Sequence, residues 1–182
     1  MGATPAGVEQ HTLPKPAPKP GEVRVRVHAS AINPAEEKVI AGGMVGRFLH
    51  VYTRPLVLGW DFAGTVDAVG TGVTDLAEGD AVWGHLAFSN TQRQGAFAEC
   101  ITIPASQTAK KPDDVSFELA AAAATVSMTA LQSLRDLGRI AEGGRVLVIG
   151  SGGGIGAVAV GIAKRLGAHV TGLCSTRDVE RS

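Results

Sequence analysis

The sequence predicts a mixed α/β chain, in which an all-β module precedes the first strand–helix–strand part of a doubly wound parallel sheet. Two observations predict this class. Short valine-rich stretches and glycine turns recur at close spacing up to about residue 110. Beyond that point come a buried strand, a glycine cluster, an apolar helix and a second strand. We expect the two parts to form separate domains, 1–112 and 113–182.

The composition is that of a globular protein with a sizeable core. Apolar residues make up 45% of the chain, and 17 basic residues balance 17 acidic ones, so neither nucleic acid nor an anionic membrane is expected as a partner. No apolar stretch approaches the roughly 18 residues of a membrane span, and the amino terminus lacks the apolar core of a secretory signal. Two cysteines are too few for a disulfide framework. A cytoplasmic location is expected.

The β module is predicted from alternation and turn residues. Alternating valines in EVRVRVHASAI (22–32) indicate a half-buried strand, and Asn33-Pro34 turns the chain into a short helix before Gly42. Further strands are predicted within 56–70, 79–88 and 95–104.

The second part begins with a helix within 113–138, for which Ser116 is a suitable N-cap. Four apolar residues, Val146–Ile149, predict a strand that is buried on both faces. A helix over 155–166 and a strand over 168–174 complete the unit.

The glycine cluster lies in RVLVIGSGGGIG (145–156), between the strand and the helix. It fits both the G-x-x-G-x-x-G spacing from Gly150 and the G-x-G-x-x-A spacing from Gly152. Such a turn lets backbone N–H groups and the positive helix end face a pyrophosphate. A turn that only packs the helix on the sheet is the alternative. The residues predicted to hold the cofactor here are Ser151, Gly153, Gly154, Ile155 and Gly156.

The end of the second strand indicates which dinucleotide is bound. An NAD site usually carries an acid there, whereas a 2′-phosphate needs a cation and hydroxyls. The chain offers Ser175, Thr176 and Arg177 after Cys174, with no acid until Asp178. NADPH is therefore the expected cofactor, and a solvated surface cation is the alternative for Arg177.

Several segments together resemble the medium-chain dehydrogenase/reductase superfamily, in its zinc-independent quinone oxidoreductase branch. They are KPGEVRVRVHASAINP, LGWDFAGTV, VGTGVTDLAEGDAVWG, GAFAECITIP, TALQSLRDLG and RVLVIGSGGGIGAVAVGIAKRLGAHVTGLCSTRD, in family order. The resemblance implies a GroES-like β-barrel domain followed by a Rossmann domain. It also implies NADPH-dependent reduction of small-molecule quinones, or of the C=C bond of enals and enones.

The same resemblance implies that no metal is bound. Asn33 and Trp60 stand where zinc members of the superfamily carry a cysteine and a histidine. Between residues 85 and 100 there is no cysteine cluster for a structural zinc, and the histidines lack metal-ligand spacing.

The catalytic residues implied by the resemblance are Asn33, Asp61 and Thr129. The Asn33 amide suits the role because it can donate to a developing oxyanion. Turn formation at Asn33 and a structural cap at Asp61 are the alternatives. The proton for the substrate is assigned to Tyr52, to His50 or to water.

The chain ends at Ser182, directly after the second strand of the predicted dinucleotide unit. We expect it to be the amino-terminal fragment of a family member, inactive alone and prone to form homo-oligomers. A non-catalytic module that binds nucleotide weakly or pairs with a partner is the main alternative. A methyltransferase is disfavoured by the long β module, and a short-chain dehydrogenase by the absence of a Tyr-x-x-x-Lys pair after the loop.

Overall fold

The structure is a computed structural model that describes residues 8–41, 56–87 and 95–181. It divides into two compact units, Met1–Ala122 and Ala123–Ser182. The first unit is built on antiparallel strands and the second on a parallel strand pair with a helix between the strands. The predicted fold class is therefore confirmed, while the domain bounds 1–112 and 113–182 stay predictions.

The first unit contains one five-stranded antiparallel sheet with strand order β4-β1-β2-β3-β5. A short helix, α1, follows β1, as the Asn33-Pro34 turn predicts. The sequence reasoning missed the three-residue strand β5, which is too short to show alternation. The elements are β1 (Glu22–Ser30), α1 (Pro34–Ile40), β2 (Asp61–Val69), β3 (Ala81–His85), β4 (Cys100–Pro104), a 3-10 turn (Ala105–Gln107) and β5 (Thr108–Lys110).

Alternation along the strands forms the core of this unit. Val23 and Val25 in β1 are fully buried, and they pair across to β4 at Ile103 and Ile101. Burying side chains of this size stabilises the fold by about 1.5–3 kcal/mol each. The remaining buried members of the cluster are Trp60, Phe62, Val66, Leu76, Val82, Leu86, Ala96 and Ala105.

An ion-pair group ties the extended segment before β1 to strand β2. The Lys15 ammonium lies 2.6 Å from the Asp67 carboxylate, and the Arg24 Nε donates to the same carboxylate at 2.7 Å. Arg24 also donates to the Pro16 carbonyl at 3.1 Å. Partial burial raises the pKa of Asp67, but hydrogen bonds and charge from Lys15 and Arg24 outweigh it, so the pKa lies below its usual value.

Replacing Asp67 with asparagine is expected to lower stability at neutral pH and to have little effect in acid. A carboxylate whose folded-state pKa is depressed stabilises the fold above its unfolded pKa, and this contribution is lost as pH falls through the folded value. The gap between wild type and Asp67→Asn should therefore narrow as the pH falls below about 4 and close below the folded-state pKa of Asp67. Thermal unfolding over a pH series checks this, with exposed Asp75→Asn as the control. A gap that stays constant with pH would contradict the ion-pair account.

Helix α2 spans Phe117–Leu131 and begins as the sequence predicts. The Ser116 hydroxyl accepts a hydrogen bond from the Leu119 N–H at 3.1 Å, which confirms it as the N-cap. The helix continues into a π-helical turn at Gln132–Leu137, which local sequence patterns did not predict.

The second unit contains β6 (Arg145–Ile149), α3 (Gly154–Arg165) and β7 (His169–Leu173), followed by a 3-10 turn (Thr176–Arg181). The strands are parallel, with Arg145 opposite His169 and Ile149 opposite Leu173.

Strand β6 is covered on one face only. Val146 and Val148 pack in the cluster that contains Ala159 and Ala163 of α3. The alternate residues face solvent, with Leu147 61% exposed and Ile149 76% exposed. The prediction of a strand buried on both faces is therefore wrong for this chain. An apolar run in the sequence shows that a strand could be buried on both faces. Burial also requires other residues that pack on each face.

Candidate active site

One edge of the first sheet brings together residues from three separate stretches of chain. Because β1, β2 and β3 are antiparallel neighbours, the end of β1, the start of β2 and the end of β3 meet at this edge. Asn33 follows β1, Asp61 opens β2, and His85 closes β3 directly opposite Asp61 in the register. The sequence reasoning proposed Asn33 and Asp61 but assigned no role to His85.

Asp61 is the centre of a hydrogen-bonded group at this edge. Its side chain is buried, with the residue 1% exposed. One carboxylate oxygen accepts from the Asn33 amide Nδ2 at 3.0 Å, and the other lies 3.0 Å from His85 Nδ1. The Ser30 hydroxyl donates to the Asp61 main-chain carbonyl at 2.6 Å. A buried carboxylate that receives two donors fixes both of them, so the Asn33 amide and the His85 ring hold one orientation.

The backbone of Asn33 is fixed separately, at the start of α1. Its N–H donates to the Glu36 carboxylate at 2.8 Å, and the Glu36 N–H donates back to the Asn33 carbonyl at 3.1 Å. Glu36 is fully buried, and its second carboxylate oxygen has no hydrogen-bond partner among the residues that the structure describes. Two buried carboxylates therefore hold the main chain and the side chain of one half-buried asparagine.

Thr129, the third predicted catalytic residue, lies in α2 within the second unit. Its hydroxyl donates to the Thr125 carbonyl at 2.8 Å, one turn earlier in the same helix. Both protein candidates for proton donor, Tyr52 and His50, lie outside the described residues.

Within residues 8–41, 56–87 and 95–181, no group of three or more His, Cys, Asp or Glu side chains is placed to hold a metal ion. Trp60, at the position where zinc relatives carry a histidine, is buried and packs in the core of the first unit. Independence from zinc stays a prediction.

The glycine loop of the second unit has the shape that its sequence predicts. Gly150 takes a left-handed φ of 86° at the end of β6, and its N–H donates to the Leu173 carbonyl at 2.7 Å. Helix α3 then begins at Gly154 with Gly153 as its N-cap. A Cβ on Gly156 would overlap the Gly150 carbonyl oxygen and lie 2.8 Å from its carbon, so the first helical turn packs directly on the loop backbone.

This geometry fits the pyrophosphate of a dinucleotide. Ser151 is buried beneath the turn, while Gly153, Gly154 and Ile155 lie exposed at the amino end of α3. The first turn of a helix has N–H groups without intrahelical partners and carries a partial positive charge.

The residues after β7 form a short turn beside the loop. Ser175, Thr176 and Arg177 are exposed, and the Arg177 side chain is 88% accessible. Asp178, by contrast, is 13% accessible and lies against Gly152. Its carboxylate accepts from the Ser175 hydroxyl at 2.5 Å and lies 3.6 Å from Arg177 Nε. The sequence reasoning treated Asp178 only as the first acid beyond the site.

Comparison with known proteins identifies the family. Residues 19–113 match the alcohol dehydrogenase GroES-like domain. A chloroplast envelope quinone oxidoreductase homolog of Arabidopsis thaliana is 35% identical over 187 residues, covering 98% of this chain and 54% of the relative. The chain belongs to the medium-chain dehydrogenase/reductase superfamily, a family of oxidoreductases, as the sequence resemblance indicated.

Solved structures agree on the fold. An alcohol dehydrogenase superfamily protein of Novosphingobium aromaticivorans superposes with a TM-score of 0.87 at 35% identity, over 94% of this chain and 51% of that one. The CurK enoyl reductase superposes with a TM-score of 0.84 at 27% identity, over 96% of this chain and 53% of that one. The chain thus spans about half the length of each of these relatives. Among the described residues, no helix is long and apolar enough to cross a membrane.

Proposed function

We propose that the chain belongs to an NADPH-dependent reductase that passes a hydride, without a metal, to quinones or to the C=C bond of enals and enones. The observation that carries this proposal is the Asn33 amide held by buried Asp61 at the edge of the first sheet. Relatives named as a quinone oxidoreductase homolog and an enoyl reductase support the substrate class. The cytoplasmic location stays a prediction.

In this proposal Asn33 stabilises charge on the substrate. A side-chain amide has two N–H donors, and the Asp61 carboxylate accepts from the Asn33 amide nitrogen at 3.0 Å. The other N–H would donate to an oxygen that becomes anionic when a quinone or enone is reduced. A donor that is already oriented needs no reorganisation as that charge develops, which is why a fixed amide is more effective than water.

Asp61 and His85 act as positioning residues in the same scheme. The Asp61 carboxylate accepts from the Asn33 amide and from the His85 ring. A neutral His85 in this scheme therefore carries its hydrogen on Nδ1. A nicotinamide cofactor supplies the hydride when it is bound. Residues 151 and 153–156 would hold the pyrophosphate of this cofactor. Ser175, Thr176 and Arg177 would hold its 2′-phosphate, and Thr129 would contact its nicotinamide.

A second candidate is a non-catalytic module that pairs with a partner or with another copy of the chain. The exposed apolar residues Leu147, Ile149 and Leu173 on the strand pair favour it.

The test follows the loss of NADPH absorbance with a quinone, an enone or an enal, and the gain of NADPH absorbance with a simple alcohol and NADP⁺. It uses the 182-residue chain and a form that continues through a complete dinucleotide-binding domain. We expect reduction of quinone or enone by the longer form only. Dominant alcohol oxidation, or no turnover by the longer form, would reject the proposal.

The variant Asn33→Ser separates the amide's role from turn formation. Serine caps a helix as well as asparagine does, but it has no amide N–H. Turnover in the longer form should fall by about a hundredfold, the usual effect of removing one oxyanion donor. Unchanged turnover would assign Asn33 to the turn alone.

A further inference from the structure

Asp178 occupies the space between the glycine loop and the end of β7. A Cβ placed on Gly152 would lie 2.5 Å from the Asp178 Cβ and 3.3 Å from one of its carboxylate oxygens. The 3-10 turn after β7 folds the side chain back onto the loop, and only 13% of it remains accessible. The Asp178 carboxylate therefore packs against the glycine loop and is not a solvent-exposed surface charge.

The same carboxylate oxygen engages two of the groups assigned to a 2′-phosphate. The Ser175 hydroxyl donates to it at 2.5 Å, and Arg177 Nε lies 3.6 Å from it. A 2′-phosphate that approaches this turn must compete with Asp178 for the Ser175 hydroxyl and share the positive charge of Arg177 with it. The negative 2′-phosphate and the negative Asp178 carboxylate would also repel each other at this short distance.

An unphosphorylated ribose meets the opposite situation. A carboxylate at the end of the second strand is the usual acceptor for the ribose 2′-hydroxyl. In this chain that acceptor comes from a position four residues beyond Cys174, because the turn brings Asp178 back to the loop.

We propose that Asp178 is a specificity-determining residue that opposes a 2′-phosphate and favours an unphosphorylated ribose, so that it narrows the preference of the site for NADPH over NADH. This inference rests on the proposed dinucleotide function. Arg177 and Ser175 attract the phosphate, Asp178 opposes it, and the net preference of the site is the difference between these effects.

The test is calorimetry on the 182-residue chain with adenosine 2′,5′-bisphosphate and adenosine 5′-monophosphate, which carry the recognised half of each dinucleotide. Asp178→Asn should tighten the bisphosphate about tenfold at low salt, with less gain at high salt. It should leave the monophosphate unchanged or weaker. Arg177→Ala should weaken only the bisphosphate.

Glu180→Gln is the matched control, since it removes one negative charge from the same turn at an exposed position. It should change both affinities less than twofold. Asp178→Ser serves as a second variant, and circular dichroism confirms that each chain is folded. Equal changes for the two ligands, or an effect of Glu180→Gln as large as that of Asp178→Asn, would overturn the assignment of Asp178. Binding of neither ligand by any variant would reject the dinucleotide function and, with it, this inference.

Discussion

Replacing Gly156 with alanine should destabilise the second unit and weaken dinucleotide binding more than tenfold. The added methyl group would overlap the Gly150 carbonyl oxygen and lie 2.9 Å from the Ser151 Cα. These are backbone atoms, so no side-chain rotation relieves the overlap and α3 must move away from the loop. Overpacking of this kind costs about 1–3 kcal/mol, and we expect the upper end. Hydrogen exchange of the α3 amides measures the stability, and calorimetry with adenosine 5′-monophosphate measures the binding.

Gly161→Ala is the matched control in the same helix. Gly161 is exposed, and a Cβ there meets nothing within 4 Å. Alanine should stabilise this position by about 1 kcal/mol, because glycine is a poor helix former. Similar losses from both substitutions would show that helix propensity, and not contact with the loop, decides the outcome.

Replacing Asp61 with asparagine should destabilise the first unit by about 1–3 kcal/mol, the cost of a buried polar group left without its partner. The carboxylate accepts on both oxygens, from Asn33 and at His85. An amide of the same shape has one acceptor and one donor, so either the Asn33 contact becomes donor against donor or His85 must give up its Nδ1 hydrogen. Turnover in the longer form should also fall by about tenfold or more, since the Asn33 amide loses its fixed orientation.

Urea unfolding measures the first effect, and kcat at a temperature where the variant is fully folded measures the second. A purely structural Asp61 would lower stability without changing kcat in the folded protein. Asp75→Asn, at an exposed position in the same unit, should change neither quantity. Full turnover by folded Asp61→Asn would remove Asp61 from the proposed site.

Local signals in the sequence were sufficient for the longer helices and strands and for the glycine loop, but not for β5 or the π-helical turn. The Ser116 cap, the turn at Gly150 and the start of α3 at Gly154 all depend on residues within a few positions of one another. Helix and strand propensity, helix capping and turn geometry act over such distances, so they can be predicted from a single sequence.

The contacts that complete the sites are not local in this sense. His85 reaches Asp61 across 24 residues, through a strand register that the sequence does not reveal. Asp178 reaches Gly152 because a 3-10 turn folds back, which a plain reading of the residues after β7 does not predict. The family resemblance implied Asn33, and the lack of an acid before Asp178 indicated Arg177, but the contacts of Asp61 and Asp178 with them required the fold.

The distribution of aromatic residues between the units has a spectroscopic consequence. The chain has two tryptophans and one tyrosine, and Trp60, Trp83 and Tyr52 all belong to Met1–Ala122. Intrinsic tryptophan and tyrosine fluorescence therefore reports on the first unit, where Trp60 is buried. It contains no emission from residues of the second unit. A Gly156→Ala chain should retain wild-type emission even when α3 has come apart, whereas Asp61→Asn should shift the emission transition to lower urea.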